Sequence, residues 1–164
     1  MKKRAFMTLL VSMTMMMLLS GCYQNKDTGV RYDKQKVVYH INYDDPKAQA
    51  GALKNIQNHI NAVGAENMDI KVVLHGNGLS LLLDPASLPK LKKFKHANAT
   101  DKMIAQIDGL KDQGVAFNVC ANTVKGRNVD LEGDLHNVDK NDIVPSGVAE
   151  LSHLQQLGYT YIKP

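Results

Sequence analysis

The 164-residue chain contains no tryptophan, and aromatic residues make up only 5% of it. Proteins that bind single-stranded nucleic acid stack bases on aromatic faces, so this scarcity argues against that class. Cysteine is also sparse, with Cys22 and Cys120 the two in the chain. A disulfide-dense scaffold is thereby excluded, and stability must come from a packed apolar core. A basic excess is missing as well. The formal charge is +4, from 20 basic and 16 acidic residues, but Lys2, Lys3 and Arg4 lie in an N-terminal segment without acids. The 17 basic groups that remain face those 16 acidic ones, a net of +1. Phosphate backbones recruit a strong basic surplus, so nucleic acid is not an expected partner. What is present, 44% hydrophobic and 22% charged residues, is ordinary for a globular domain and excludes collagen-like, low-complexity and multi-span membrane chains.

The N-terminus predicts a compartment. Met1–Arg4 is a short cationic region, and residues 5–19 form an apolar run. That run falls short of the roughly 20 apolar residues a spanning helix needs, and its flanks are those of a secretory signal. Leu19-Ser20-Gly21-Cys22 then resembles a bacterial lipobox, in which the cysteine is lipidated after cleavage before it. Tyr23 follows, where an aspartate would signal retention in the inner membrane. The expectation is an outer-membrane lipoprotein facing the periplasm, anchored through Cys22. Residues 1–21 are the signal peptide, residues 22–36 the lipidated N-terminus with a polar tether, and residues 37–164 one domain. With Cys22 committed to lipid, Cys120 has no partner within the chain. A lone thiol in an oxidising compartment marks a position to follow.

Hydrophobic periodicity gives the architecture. Residues 36–41, 69–75, 115–120, 143–145 and 159–162 read as strands. Residues 49–63 carry Ala52, Leu53, Ile56, Ile60 and Val63 at helical spacing, and Gly64 stops them. Residues 100–113 repeat the pattern with Met103, Ile104, Ile107 and Leu110, with Thr100 as cap and Gly114 as stop. Residues 146–157 do so with Val148, Leu151, Leu154 and Leu157 expected inward. Gly76-Asn77-Gly78 reads as a tight turn, and residues 84–99 as an exposed connection with a solvated basic face at Lys90 to Lys95. Residues 122–142 read as a polar loop with one helical turn near Leu131, its acidic groups solvated. Alternation of strands and helices predicts an α/β fold: a single three-layer domain with a mainly parallel sheet of about five strands and helices on both faces.

In such sheets ligands bind beyond the carboxyl ends of the strands. Those ends supply Asn42, then His75, Gly76, Asn77 and Gly78, then Cys120 and Asn122, then Ser146 and Gly147. Cys120 could face the first amides of the following segment, which favour a thiolate. His75 could serve as its proton partner or bond the turn. Asn122 could donate to a sulfur anion or act as a cap. His40, inside the first strand, reads as structural. The Gly-x-Gly lacks the Lys and Ser/Thr of a phosphate loop and the third glycine of a dinucleotide fingerprint. His59, His96, His136 and His153 show no ligand spacing, and no metal or organic cofactor is expected.

The motifs His75-Gly76-x-Gly78-Leu79, Gly114-Val115-x-Phe117-x-Val119-Cys120-x-Asn122-Thr123, Ser146-Gly147-Val148-x-Glu150-Leu151 and Gln155-x-x-Gly158-Tyr159-x-Tyr161-Ile162-x-Pro164 occur in order. With these the chain resembles the DsrE/DsrF-like family over about Val37 to Pro164. The resemblance implies a small α/β fold that assembles as a homo-oligomer, a trimer or hexamer. It also implies, for sulfur-relay members, a persulfide on a cysteine after the third strand, the position of Cys120. The expected function is a periplasm-facing sulfur carrier or sulfurtransferase, with Cys120, His75 and Asn122 as its chemistry and an unidentified sulfur donor or acceptor. The rival expectation is a non-catalytic ligand-binding or assembly module of the cell envelope.

Overall fold

The computed structural model describes residues 31–164, so Cys22 and the expected signal segment lie outside the described residues. Five parallel strands form one sheet in the order β4-β3-β2-β1-β5. They are β1 (Gln35–Ile41), β2 (Met68–Leu74), β3 (Ala116–Cys120), β4 (Ile143–Val144) and β5 (Thr160–Ile162). The helices are α1 (Pro46–Val63), α2 (Asp101–Asp112), α3 (Ala121–Arg127), α4 (Leu131–Asp134) and α5 (Gly147–Gln156), and short 3-10 segments fill several connections. Among the described residues no helix is long and apolar enough to cross a membrane.

Pleating divides each strand between two faces. Val37, Tyr39 and Ile41 of β1, Ile70, Val72 and Leu74 of β2, and Phe117 and Val119 of β3 join the main core with α1 and α2. The alternate positions Val38 and Val73 pack instead with Leu151 and Leu154 of α5 and with Tyr159. The strand order explains this. The chain steps one way from β1 to β4, then α5 carries it back to β5 on the far side of β1, over the other face.

Local chemistry sets the boundaries. Asp45 accepts from the Ala48 N–H at 2.7 Å and Pro46 opens α1, so the helix starts three residues before the expected start at Gln49. Gly64 ends it with φ +93°. Ser146 caps α5 through the Ala149 N–H. Between Leu74 and α2 the chain is better fixed than its composition suggests. Gln49, Ser80 and Asn98 form a buried polar cluster: Gln49 Nε2 donates to the Tyr43 carbonyl at 2.7 Å and to Ser80 Oγ at 3.0 Å, and Asn98 Nδ2 donates to Gln49 Oε1 at 2.7 Å.

Four expectations need correction. Gly76-Asn77-Gly78 is not a tight turn but opens a 3-10 helix over Gly76–Leu82. Residues 122–127, expected as loop, belong to α3. Val148 and Leu157 do not point inward; they are 66% and 52% exposed, because Leu151 and Leu154 alone cover the sheet. Asp134 is not solvated. It is buried, and accepts from the Ser87 hydroxyl at 2.7 Å, Lys90 Nζ at 2.5 Å and the Asp130 N–H at 2.9 Å.

Candidate functional site

Alternation along three strands places one residue type after another on the α5 face. His40 follows Val38 on β1, His75 follows Val73 beyond β2, and Cys120 follows Asn118 on β3. Near the carboxyl ends of these strands His75, Gly76, Lys93, Cys120, Asn122, Thr123, Gly126, Arg127, Ser146 and Val148 line a cleft of about 440 Å³.

Cys120 ends β3 and takes the residue position before α3, with φ −71° and ψ 114°. Only 5% of the residue is exposed. Burial alone would push its thiol up. The Gly147 N–H, the Thr123 hydroxyl and N–H, and the Asn122 N–H outweigh burial and hold the thiol below its ordinary range. None makes a full capping hydrogen bond to sulfur; they surround it as oriented dipoles. A thiolate gains from each of them, while a thiol gains little.

Two glycines stand at close approaches near these strand ends. A Cβ on Gly147 would stand 2.8 Å from His75 Cβ and 3.2 Å from its ring, so glycine lets α5 bring its first amide to the sulfur beside His75. Gly78 has a different task. A Cβ there would lie 1.9 Å from the Ile41 carbonyl oxygen, so it is a close-packing position between the ends of β1 and β2.

His75 belongs to a second polar string. Its Nε2 lies 2.7 Å from His40 Nε2, and His40 Nδ1 lies 2.7 Å from the Tyr161 hydroxyl. The ring centroids are 4.8 Å apart with planes inclined by 22°, so the imidazoles meet nitrogen to nitrogen and share one proton between them. Burial, then His75, then Lys163 push the His40 imidazole down to about 4. Burial and Lys163 also lower His75. Both rings are therefore neutral at pH 7. On its other side the string faces a second hollow, of about 730 Å³, lined by Val148, Leu151, Ser152, Gln155, Gln156 and Tyr161.

Of the sequence-predicted residues, His75, Gly76, Cys120, Asn122 and Ser146 come together in the thiol cleft, and Gly147 presents its amide to the sulfur. Asn77 stands at the rim, where its Oδ1 accepts from Arg127 Nη2 at 2.7 Å. Asn42 and Gly78 do not line the cleft; they pack against one another at the end of β1. Sequence reasoning missed Thr123, Lys93 and Arg127, and took His40 as structural without its link to His75. Thr123 had a usable signal, since it lies three residues after a capping cysteine. Its Oγ1 also accepts from the Gly76 N–H at 2.8 Å, tying α3 to the end of β2. Lys93 and Arg127 are brought in from separate segments and carried no such signal. Among the described residues no cluster of His, Cys, Asp and Glu has the arrangement of a metal site.

Comparison with known proteins places this arrangement in context. The family model described as the DsrE/DsrF-like family matches residues 36–164. No curated protein matches the chain. Among solved structures, a protein of unknown function from Methanobacterium thermoautotrophicum is similar, with a TM-score of 0.63 and 27% identity, over 80% of this chain and 100% of that one.

Proposed function

The chain belongs to the DsrE/DsrF-like family, and from that premise we propose that it is a sulfur carrier in which Cys120 holds a persulfide. The observation that carries this reading is the convergence of Gly147, Thr123 and Asn122 donors on a thiol that has no cysteine partner among the described residues and opens on a cleft. Sulfane-sulfur transfer starts from a thiolate, and those donors favour one. The Cys120 thiolate attacks the outer sulfur of a donor R–S–S⁻. A sulfur–sulfur bond to Cys120 forms, the donor's own sulfur–sulfur bond breaks, and R–S⁻ leaves with the electron pair. The persulfide anion so formed meets the same donors. His75 stands neutral at the cleft wall, where its ring can accept the thiol proton, and His40 and Tyr161 hold that ring in place. Asn122 contributes through its N–H.

The location belongs to the same proposal. The cationic start, apolar run and Leu19-Ser20-Gly21-Cys22 support a lipid anchor on Cys22 in the outer membrane, with the domain in the periplasm. Homo-oligomerisation is supported by apolar side chains left uncovered on and beside α5, Val148, Leu157 and Tyr161.

Incubating the protein with polysulfide and weighing it intact tests the carrier reading. The expected result is one added sulfur on the wild type and none on Cys120→Ser. Equal labelling of both, or none on the wild type, removes it.

A further inference from the structure

The thiol cleft has one feature that a persulfide alone does not require: two cations and no carboxylate in its wall. Arg127 ends α3, and Lys93 comes from the turn that follows the 3-10 helix Pro85–Lys90. The guanidinium lies over the Phe94 ring, with Cζ 4.4 Å from its centroid. Its Nη1 donates to the Lys93 carbonyl at 3.1 Å and its Nη2 to Asn77 Oδ1 at 2.7 Å, while Lys93 Nζ donates to the Gly126 carbonyl. The two segments thus hold each other's cation in place through backbone carbonyls.

These bonds use two of the five guanidinium N–H donors and one of the three ammonium donors, so both cations keep donors for a ligand. Neither charge is neutralised at the cleft: the carboxylate that acts on Arg127 is Asp44, which does not line it. Gly76 lies beside the guanidinium: its φ of +57° suits glycine, and a Cβ there would be in ordinary contact with Arg127 Nη2 at 4.0 Å. Both cations line the same cleft, and an anion bound there is attracted by both. The guanidinium is fixed by stacking and two hydrogen bonds before any ligand arrives, so little side-chain freedom is lost on binding.

We propose that Lys93 and Arg127 form an anion subsite of the Cys120 cleft, and that the sulfur donor it takes is a small inorganic anion of the thiosulfate class. The substrate half of this proposal rests on the reading of Cys120 as a sulfur acceptor. The Cys120 thiolate attacks the outer sulfur of thiosulfate, a bond between the two sulfurs forms, the donor's sulfur–sulfur bond breaks, and sulfite leaves with the electron pair. One thiolate and one dianion give one persulfide anion and one dianion, so charge and electrons balance. The two reactants repel each other in water, and the cations offset that repulsion where they meet.

The test compares two alkylating agents of nearly equal size that differ by one charge. Full-length wild type and a Lys93→Gln/Arg127→Gln variant are treated with iodoacetate and iodoacetamide, and modification is read at the Cys120 peptide by mass spectrometry. The expected ratio of iodoacetate to iodoacetamide rates is about tenfold higher in the wild type, falls with added salt, and returns in Lys93→Arg/Arg127→Lys. Sulfate is expected to slow alkylation of the wild type and not of the Gln variant. An unchanged ratio overturns the subsite. The single variant Lys93→Gln, at an exposed side chain, gives the same comparison if the double variant fails to fold. A charge-dependent ratio without sulfur uptake from thiosulfate leaves the subsite standing and overturns the substrate assignment.

Discussion

The two faces of the sheet are written in the same strands, one residue apart, and they differ in almost everything else. Toward α1 and α2 the strands present Tyr39, Ile41, Val72, Leu74, Phe117 and Val119, a continuous apolar layer. Toward α5 they present Val38, His40, Val73, His75, Asn118 and Cys120. There two leucines and Tyr159 close over the valines, Glu150 accepts from Asn118 Nδ2 at 3.0 Å, and the histidines and the thiol are left beside open hollows. The first face carries the hydrophobic free energy of folding. The second gives up apolar area to hold polar groups in fixed positions. A fold can afford one such face only when the other is sealed.

The sharpest way to break this contrast is to cut equally into both faces. Phe117 is fully buried, and Phe117→Ala is expected to cost about 3–5 kcal/mol in urea unfolding. Cys120→Ser, three residues along the strand on the opposite face, is expected to cost far less and to abolish sulfur uptake. A large loss of stability at Cys120 would mean that the second face is core as well.

Acid probes the histidine string next. The unfolded chain holds His40 near 6.5, while the folded chain holds it at about 4. Between those values the unfolded state binds more protons, so stability is full above about pH 7 and falls as the pH drops through the window. The loss reaches about 3 kcal/mol at most. Unfolding at pH 7.5 and at pH 4.5 measures it, and His40→Gln is expected to flatten the difference. Carboxylates held low, such as Asp134, lose their contribution only below that range.

Gly147→Ala gives the smallest change. The added methyl must displace His75, at about 1–3 kcal/mol for an overpacked site, and it moves the amide away from the sulfur. Slower sulfur uptake with modest destabilisation is expected; a wild-type rate would show that Gly147 does not set the thiol's surroundings.

Much of this was readable beforehand, for physical reasons. Apolar runs and three-and-four spacing gave the strands and the long helices, and the cysteine at a strand end marked the candidate cleft. Arg127 and Thr123 were hidden because α3 holds a single large apolar residue, Val124, together with Gly126. Its helix depends on what it packs against rather than on any stripe in its sequence. Lys93 reaches the cleft only through a proline-punctuated 3-10 segment. The period placed Val148 inward, but Leu151 and Leu154 alone cover the sheet and leave it exposed. Pleating told which face His40 takes, but the His40–His75 contact depends on strand register, which no single strand encodes.

The direct test of the central claim is the pH dependence of iodoacetamide alkylation at Cys120 in the native protein. Half-maximal reaction is expected at a lower pH than for Cys120 in the urea-unfolded chain. A midpoint at or above that of the unfolded chain, or a native thiol that does not react at all, would contradict the account.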